Sequence, residues 1–264
     1  MNIFIREMKA NRKSLIIWSI CMVLFVLSGM SKYTTYSSGG AASEALAKLP
    51  HSMRALLGMG TFNVSKMSGF FAFLFPYIEV TVAVHAVLLG SHILAKEERD
   101  KTTEFLMVKP VSRSSIMTSK FLAALANIIV INVVTLISSI IFVGAFNKGK
   151  DITSEIIVFL LSLFIVQLIF VSLGSLFSAI LKKPKTAGSW ATFILFGGFI
   201  IAKITDLAEN LEFLNVFSPF KYFSYEDIVN GDGLNFIVVI LSLVMVAVFS
   251  TLSYFFYQKR DLNV

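Results

Sequence analysis

At 264 residues, with 56% hydrophobic and only 15% charged residues, the chain reads as an integral membrane protein, since soluble domains carry about 25% charge. The length accommodates one membrane domain, residues 1–264, and leaves no room for a soluble catalytic domain beside it. A net charge of +7 would suit nucleic acid, but the basic residues flank apolar runs, so their expected partner is the anionic inner leaflet of a bilayer and not nucleic acid.

The N-terminus opens with Arg6, Lys9, Arg12 and Lys13, followed by an apolar run from Leu15 to Met30. That run is longer than the 7–15-residue core of a signal peptide, and Met30-Ser31-Lys32 offers no small-residue cleavage site, so an uncleaved first span is expected. Cys21, the single cysteine, lies inside this run. It has no partner for an internal disulfide and is expected to be a buried, inert thiol.

Crossing a bilayer takes about 20 apolar residues. Six segments qualify or come close: Leu15–Ser31, Gly69–Ala95, Phe121–Phe146, Glu155–Leu181, Ala187–Ile204 and Leu234–Tyr257. Placing both termini inside puts 15 of the 23 Lys and Arg residues on the inner side. The pre-span patch and the short loop Lys182–Lys185 weigh most, because the positive-inside bias acts on charges near span ends. Between spans one and two, Ser43–Gly60 spaces Leu46, Leu49, Met53, Leu56 and Leu57 as an interface-lying helix would. Between spans five and six, Leu211–Phe223 is apolar and aromatic but too short to cross. Broken by Pro219, it predicts a re-entrant element.

The loop from Glu97 to Lys120 is different in kind. Glu98 to Met107 combines good helix formers with both signs of charge, Pro110 breaks it, and Ser112 or Ser114 can cap a helix entering the next span. A short charged helix held between two spans suits a mechanical coupling element.

No catalytic or metal constellation emerges. Gly144–Asp151 (GAFNKGKD) matches seven positions of the phosphate-loop pattern, but Asp151 stands where a magnesium-binding hydroxyl is needed. No nucleotide site is therefore expected in this chain. Glu97-Glu98 lacks the arginine of a glutamate intramembrane protease, and Phe177 replaces the glycine needed after Gly174-Ser175 for a rhomboid-like nucleophile. His85 and His92 are seven residues apart without a third ligand and fit polar packing better than a metal.

Glu79 is the one acid inside a span. It reads either as a functional polar group or as a hydrogen-bonded one that stabilises helix packing. Its depth matches that of Gln167, the expected partner, and with Phe196 these two form a candidate substrate path. Asn127 and Asn132 fit interhelical hydrogen bonding, and Gly188, Gly197 and Gly198 on span five fit either a close helix contact with a second copy or a flexible hinge.

Three stretches carry a family likeness. Glu98 to Arg113, with Thr103, Glu104, Phe105, Leu106 and Pro110, resembles the first intracellular loop of ABC-2-type permeases; Arg6–Ile20 and Ser218–Phe223 resemble two further stretches in the same order. The likeness spans nearly the whole chain and looks most like the bacitracin-efflux and peptide-exporter branch of Gram-positive bacteria. It implies an all-α membrane protein of six spans with an N-terminal amphipathic helix, a cytoplasmic coupling helix and a re-entrant outer element before the last span. It further implies a dimer of this chain served by two copies of a separate ATPase, which would hold the ATP and magnesium. In that reading Glu97, Glu98, Asp100, Lys101, Thr103, Glu104, Phe105 and Met107 form the coupling helix, spans two and five line the cavity, and spans one and five meet across the dimer. Competing expectations are an ion-coupled secondary transporter using Glu79, or a non-transport immunity or sensor protein.

Overall fold

The structure, a computed structural model, describes residues 3–37, 48–50, 53–54, 57, 63–100, 111–147, 149, 151–181 and 183–259. All of its regular elements are helical. The long ones are α1 (Ile3–Ser31), α3 (Met67–Arg99), α4 (Arg113–Phe146), α5 (Thr153–Ile180), α6 (Pro184–Leu207) and α8 (Phe236–Lys259); the short ones are α2 (Tyr33–Ser37) and α7 (Tyr225–Asn230). Two 3₁₀ segments, Glu209–Phe217 and Pro219–Lys221, connect α6 to α7. Among the described residues six helices are long and apolar enough to cross a membrane, as the six apolar runs predict.

The helix ends follow local chemistry. Ser112 caps α4, its hydroxyl accepting from the Ser115 N–H at 3.2 Å. Ser224 does the same for α7 through Asp227, and Gly231 closes that helix at φ 91°, a conformation that disfavours residues with a Cβ. Asp151 anchors the start of α5 by accepting from both the N–H and the hydroxyl of Thr153. These bonds hold its carboxyl below the usual range.

The centre of the bundle is α3 packed on α5. Gly90 faces the Val171 carbonyl and Gly174 the Val87 carbonyl so closely that a Cβ at either would overlap backbone. Small residues permit this approach, and the Ser175 hydroxyl donates across it to the Gly90 carbonyl at 3.2 Å. Two apolar cores follow. One gathers Met22, Phe71, Phe75, Ile78, Phe159 and Ile228; the other gathers Val87, Met117, Ile128, Phe170, Phe220 and Phe223. α1 and α8 lie outside this centre with long faces exposed.

Three expectations are corrected. The basic N-terminal stretch is no separate surface helix: with no proline or glycine between Ile3 and Ser28, α1 runs unbroken into the first span. Cys21 is exposed, on the outward α1 face with Ile17, Ile20 and Leu24, because the inward positions go to Met22, Val26 and Met30. Glu97 and Glu98 belong to the last turn of α3, which continues to Arg99 because nothing after Ala95 breaks it. Most of the segment Ser43–Gly60 lies outside the described residues.

Candidate functional site

At the end of the bundle where the described chain begins and ends, α1, α3 and α4 meet in a cluster of five charges. Glu97, 6% exposed, is its centre. Arg6 Nη2 lies 2.7 Å from Glu97 Oε1, and Lys120 Nζ lies 2.5 Å from Oε2. Lys120 is fully buried and also donates to the Ile93 carbonyl. Glu7, equally buried, accepts from Arg6 at 3.2 Å and stands 3.7 Å from Lys96. The sequence brings these together through position: Arg6 and Glu7 open α1, Lys96 and Glu97 close α3, and Lys120 sits two turns into α4. A buried ion must be paired and hydrogen-bonded, so each charge fixes the helix that carries the next.

The start of α4 is held a second time, from α8. Arg113 donates to the Gln258 carbonyl at 3.1 Å, Gln258 donates to the Ser114 hydroxyl at 2.9 Å, and the Thr118 and Tyr254 hydroxyls are 2.8 Å apart. The Phe121 and Tyr254 rings stack with centroids 5.6 Å apart. Residues 101–110 therefore leave from one clamped helix end and return to another. Of the expected coupling residues, Glu97 points inward into the ion pairs, Glu98 is half-buried, and Asp100 is exposed at the α3 C-terminus, accepting from Arg99 at 3.1 Å. Lys101, Thr103, Glu104, Phe105 and Met107 lie outside the described residues.

Within the spans, the expected pairing of Glu79 with Gln167 gives way to two others. Gln167 accepts from the Asn132 side-chain amide, joining α5 to α4. Glu79, 2% exposed, accepts from the Tyr225 hydroxyl at 2.5 Å, joining α3 to α7. Matched depth does not set partnership: Gln167 turns to Asn132 on α4 and Glu79 to Tyr225 on α7. The hydroxyl of Tyr225 is kept well above its ordinary pKa by burial and then by the Glu79 carboxyl, and so remains a donor. Phe196 is 46% exposed on α6 and turned outward.

The three glycines of α6 separate. Gly188 packs inward, where a Cβ would stand 3.3 Å from the Ser91 hydroxyl. Gly198 faces the 3₁₀ segment near Phe217 and Pro219, and only Gly197 opens on space free of described atoms to 4 Å. Among the described residues no three His, Cys, Asp or Glu side chains gather as a metal site. His85 is buried edge-on against Trp18, with ring centroids 5.2 Å apart. Gly144 lies in the last turn of α4, which ends at Phe146, and Asp151 just precedes α5, which starts at Thr153, so the GAFNKGKD stretch follows a helix and not a strand.

Sequence reasoning singled out Glu97 and Glu79 but missed Arg6 and Lys120 as partners of the first, Tyr225 as partner of the second, and Glu7 as a member of the cluster. A charge on α1 opposite in sign to Glu97 was the available signal for Arg6. Nothing in the sequence distinguishes Tyr225 from its aromatic neighbours.

The chain matches the family described as "ABC-2 family transporter protein" over residues 1–262. It is also 23% identical over 207 residues to the "Uncharacterized protein YhcI" of Bacillus subtilis (strain 168), a match covering 69% of this chain and 65% of that protein.

Proposed function

The chain belongs to the ABC-2 transporter family, and from that premise we propose that it is the membrane-spanning permease subunit of an ATP-driven exporter whose ATPase is a separate protein. The observation that carries this reading is the double clamp around residues 101–110. The helix ends on either side of that segment are tied to α1 and α3 through Glu97 and to α4 and α8 through Lys120 and Arg113, so a push there passes into four helices instead of being absorbed. Force from ATP hydrolysis needs such a stiff receiver. Members of the family are membrane components of transporters and not themselves catalytic; in this reading ATP and magnesium are held by two copies of the partner ATPase.

Both termini are assigned to the cytoplasm, since the clamped end carries the basic N-terminal patch and residues 101–110 must meet a cytoplasmic ATPase. A second copy of the chain is assigned to the outward faces of α6 and α1, where Phe193, Phe196 and Ile200 flank Gly197, and Ile17 and Ile20 are exposed. The cargo is assigned to hydrophobic or amphipathic compounds, peptides and peptide antibiotics in particular, on the resemblance to the bacitracin-efflux branch. The test is reconstitution with an ABC ATPase from the same cell. Replacing Glu98, Glu104 and Phe105 together is expected to uncouple ATP hydrolysis from transport while the permease still inserts; normal transport by that variant would contradict the reading.

A further inference from the structure

The bond that satisfies Glu79 comes from outside the spans. Tyr225 opens α7, a helix of six residues lying beyond the spanning segments. Its ring sits edge-on to Phe75 at 5.4 Å and 6.0 Å from Phe159, while Phe75 and Phe159 themselves are 4.6 Å apart. Three residues on, Ile228 is 2% exposed in the same core. Upstream, Phe220 inserts between Phe170 and Phe199, at 5.2 and 5.6 Å. Residues 219–230 thus pack onto α3, α5 and α6 like a stopper, anchored to α3 by Tyr225 on Glu79 and to α6 by Lys221 on Asp206.

The neighbouring cations are already engaged. Lys203 lies 3.2 Å from Asp206, and Lys221 closes on the same carboxylate. Lifting α7 would therefore leave Glu79 a buried carboxyl group without its donor, and would uncover the Phe75 and Phe159 rings that Tyr225 touches. A buried polar group that loses its partner opposes the motion unless another donor replaces it. An organic ammonium offers both halves of the replacement: N–H donors for the carboxyl group, and a charge that aromatic faces attract. A ligand that pairs with the opened state alone shifts the equilibrium toward it.

We propose that Glu79 is the recognition group for an amine-bearing amphiphile, and that Tyr225 occupies its place while the α7 cover is closed. The proposal rests on the export reading for its purpose. It commits the cargo to amphiphiles that carry an amine, which includes cationic peptides, and it makes cover opening depend on that amine.

The test uses the full chain in nanodiscs, with Cys21→Ser as background and Ile228→Cys as reporter. The rate of N-ethylmaleimide labelling at residue 228 measures opening. Dodecylamine and dodecanol serve as probes of equal chain length, and Phe213→Cys, at a position 67% exposed, controls for reagent access and folding. The resting cover is expected to label slowly. Dodecylamine is expected to accelerate labelling at least several-fold, dodecanol to leave it unchanged, and Glu79→Gln to remove the amine effect. Tyr225→Phe is expected to raise the resting rate, because the anchor to α3 is gone. Equal effects of amine and alcohol, or an amine effect that persists in Glu79→Gln, would overturn the assignment to Glu79. Labelling in Tyr225→Phe as slow as in the parent would overturn the anchor. The experiment contains no ATPase, so its failure leaves the permease reading standing, and failure of an ATPase to assemble leaves this result untouched.

Discussion

Glu97 in the last turn of α3 and Lys120 two turns into α4 pair at 2.5 Å, and Arg6 reaches the same carboxylate from α1 at 2.7 Å. The three-way arrangement makes the cost of breaking it unequal. Glu97→Leu leaves Lys120, fully buried, with only the Ile93 carbonyl. Stranding a buried charge costs about 3–5 kcal/mol. Arg6→Gln leaves the Glu97–Lys120 pair whole but takes the guanidinium from the buried Glu7, which keeps Lys96 at 3.7 Å, so a cost smaller than that of Glu97→Leu is expected. Thermal unfolding of both variants in detergent checks the order.

The α3–α5 contact gives a second prediction. Gly90→Ala or Gly174→Ala forces a methyl group onto a backbone carbonyl of the facing helix, and overpacking of this kind costs about 1–3 kcal/mol. Gly144→Ala meets open space and is expected to be neutral. Loss of thermal stability in the first two variants, and not in the third, is the expected pattern.

Glu79 separates a hydrogen-bonding role from a bulk one. Glu79→Gln keeps an oxygen for Tyr225 to donate to and is expected to cost under about 1 kcal/mol, whereas Glu79→Leu strands a buried hydroxyl at about 1–3 kcal/mol. Melting curves of the two variants, with Tyr225→Phe added to each, give the coupling. The Leu variant is expected to lose its extra penalty once the hydroxyl is removed.

The outward face of α6 gives a prediction about assembly. Gly197→Trp fills the open position between Phe193 and Ile200 and is expected to convert a dimer to a monomer by light scattering in detergent. Gly188→Trp would instead disrupt the chain's own packing against Ser91.

What was legible in the sequence follows from how each signal is encoded. Span number was readable because a run of apolar residues is a local property, and the α4 start because Ser112 caps within three residues of itself. Partnership across helices was not. Glu79 and Gln167 match in depth, yet depth along an axis says nothing about which side of a helix a residue faces, and their true partners are Tyr225 and Asn132. Cys21 was misplaced for the same reason: hydrophobicity in a membrane does not distinguish inside from outside, since the lipid is as apolar as the core. Glu97 read as a surface charge because a charged run is normally solvated, and its ion pairs depend on residues 91 and 23 positions away.

The central claim is that residues 97–110 receive force from a separate ATPase. The most direct measurement is ATP hydrolysis by the chain purified with its ATPase, comparing the native sequence with the variant changed at Glu98, Glu104 and Phe105. The account predicts that the isolated chain has no ATP turnover, that the assembly hydrolyses ATP and responds to an amphiphilic cargo, and that the variant loses that response or the ATPase itself. ATP turnover by the isolated chain, or a cargo response undiminished in the variant, would contradict it.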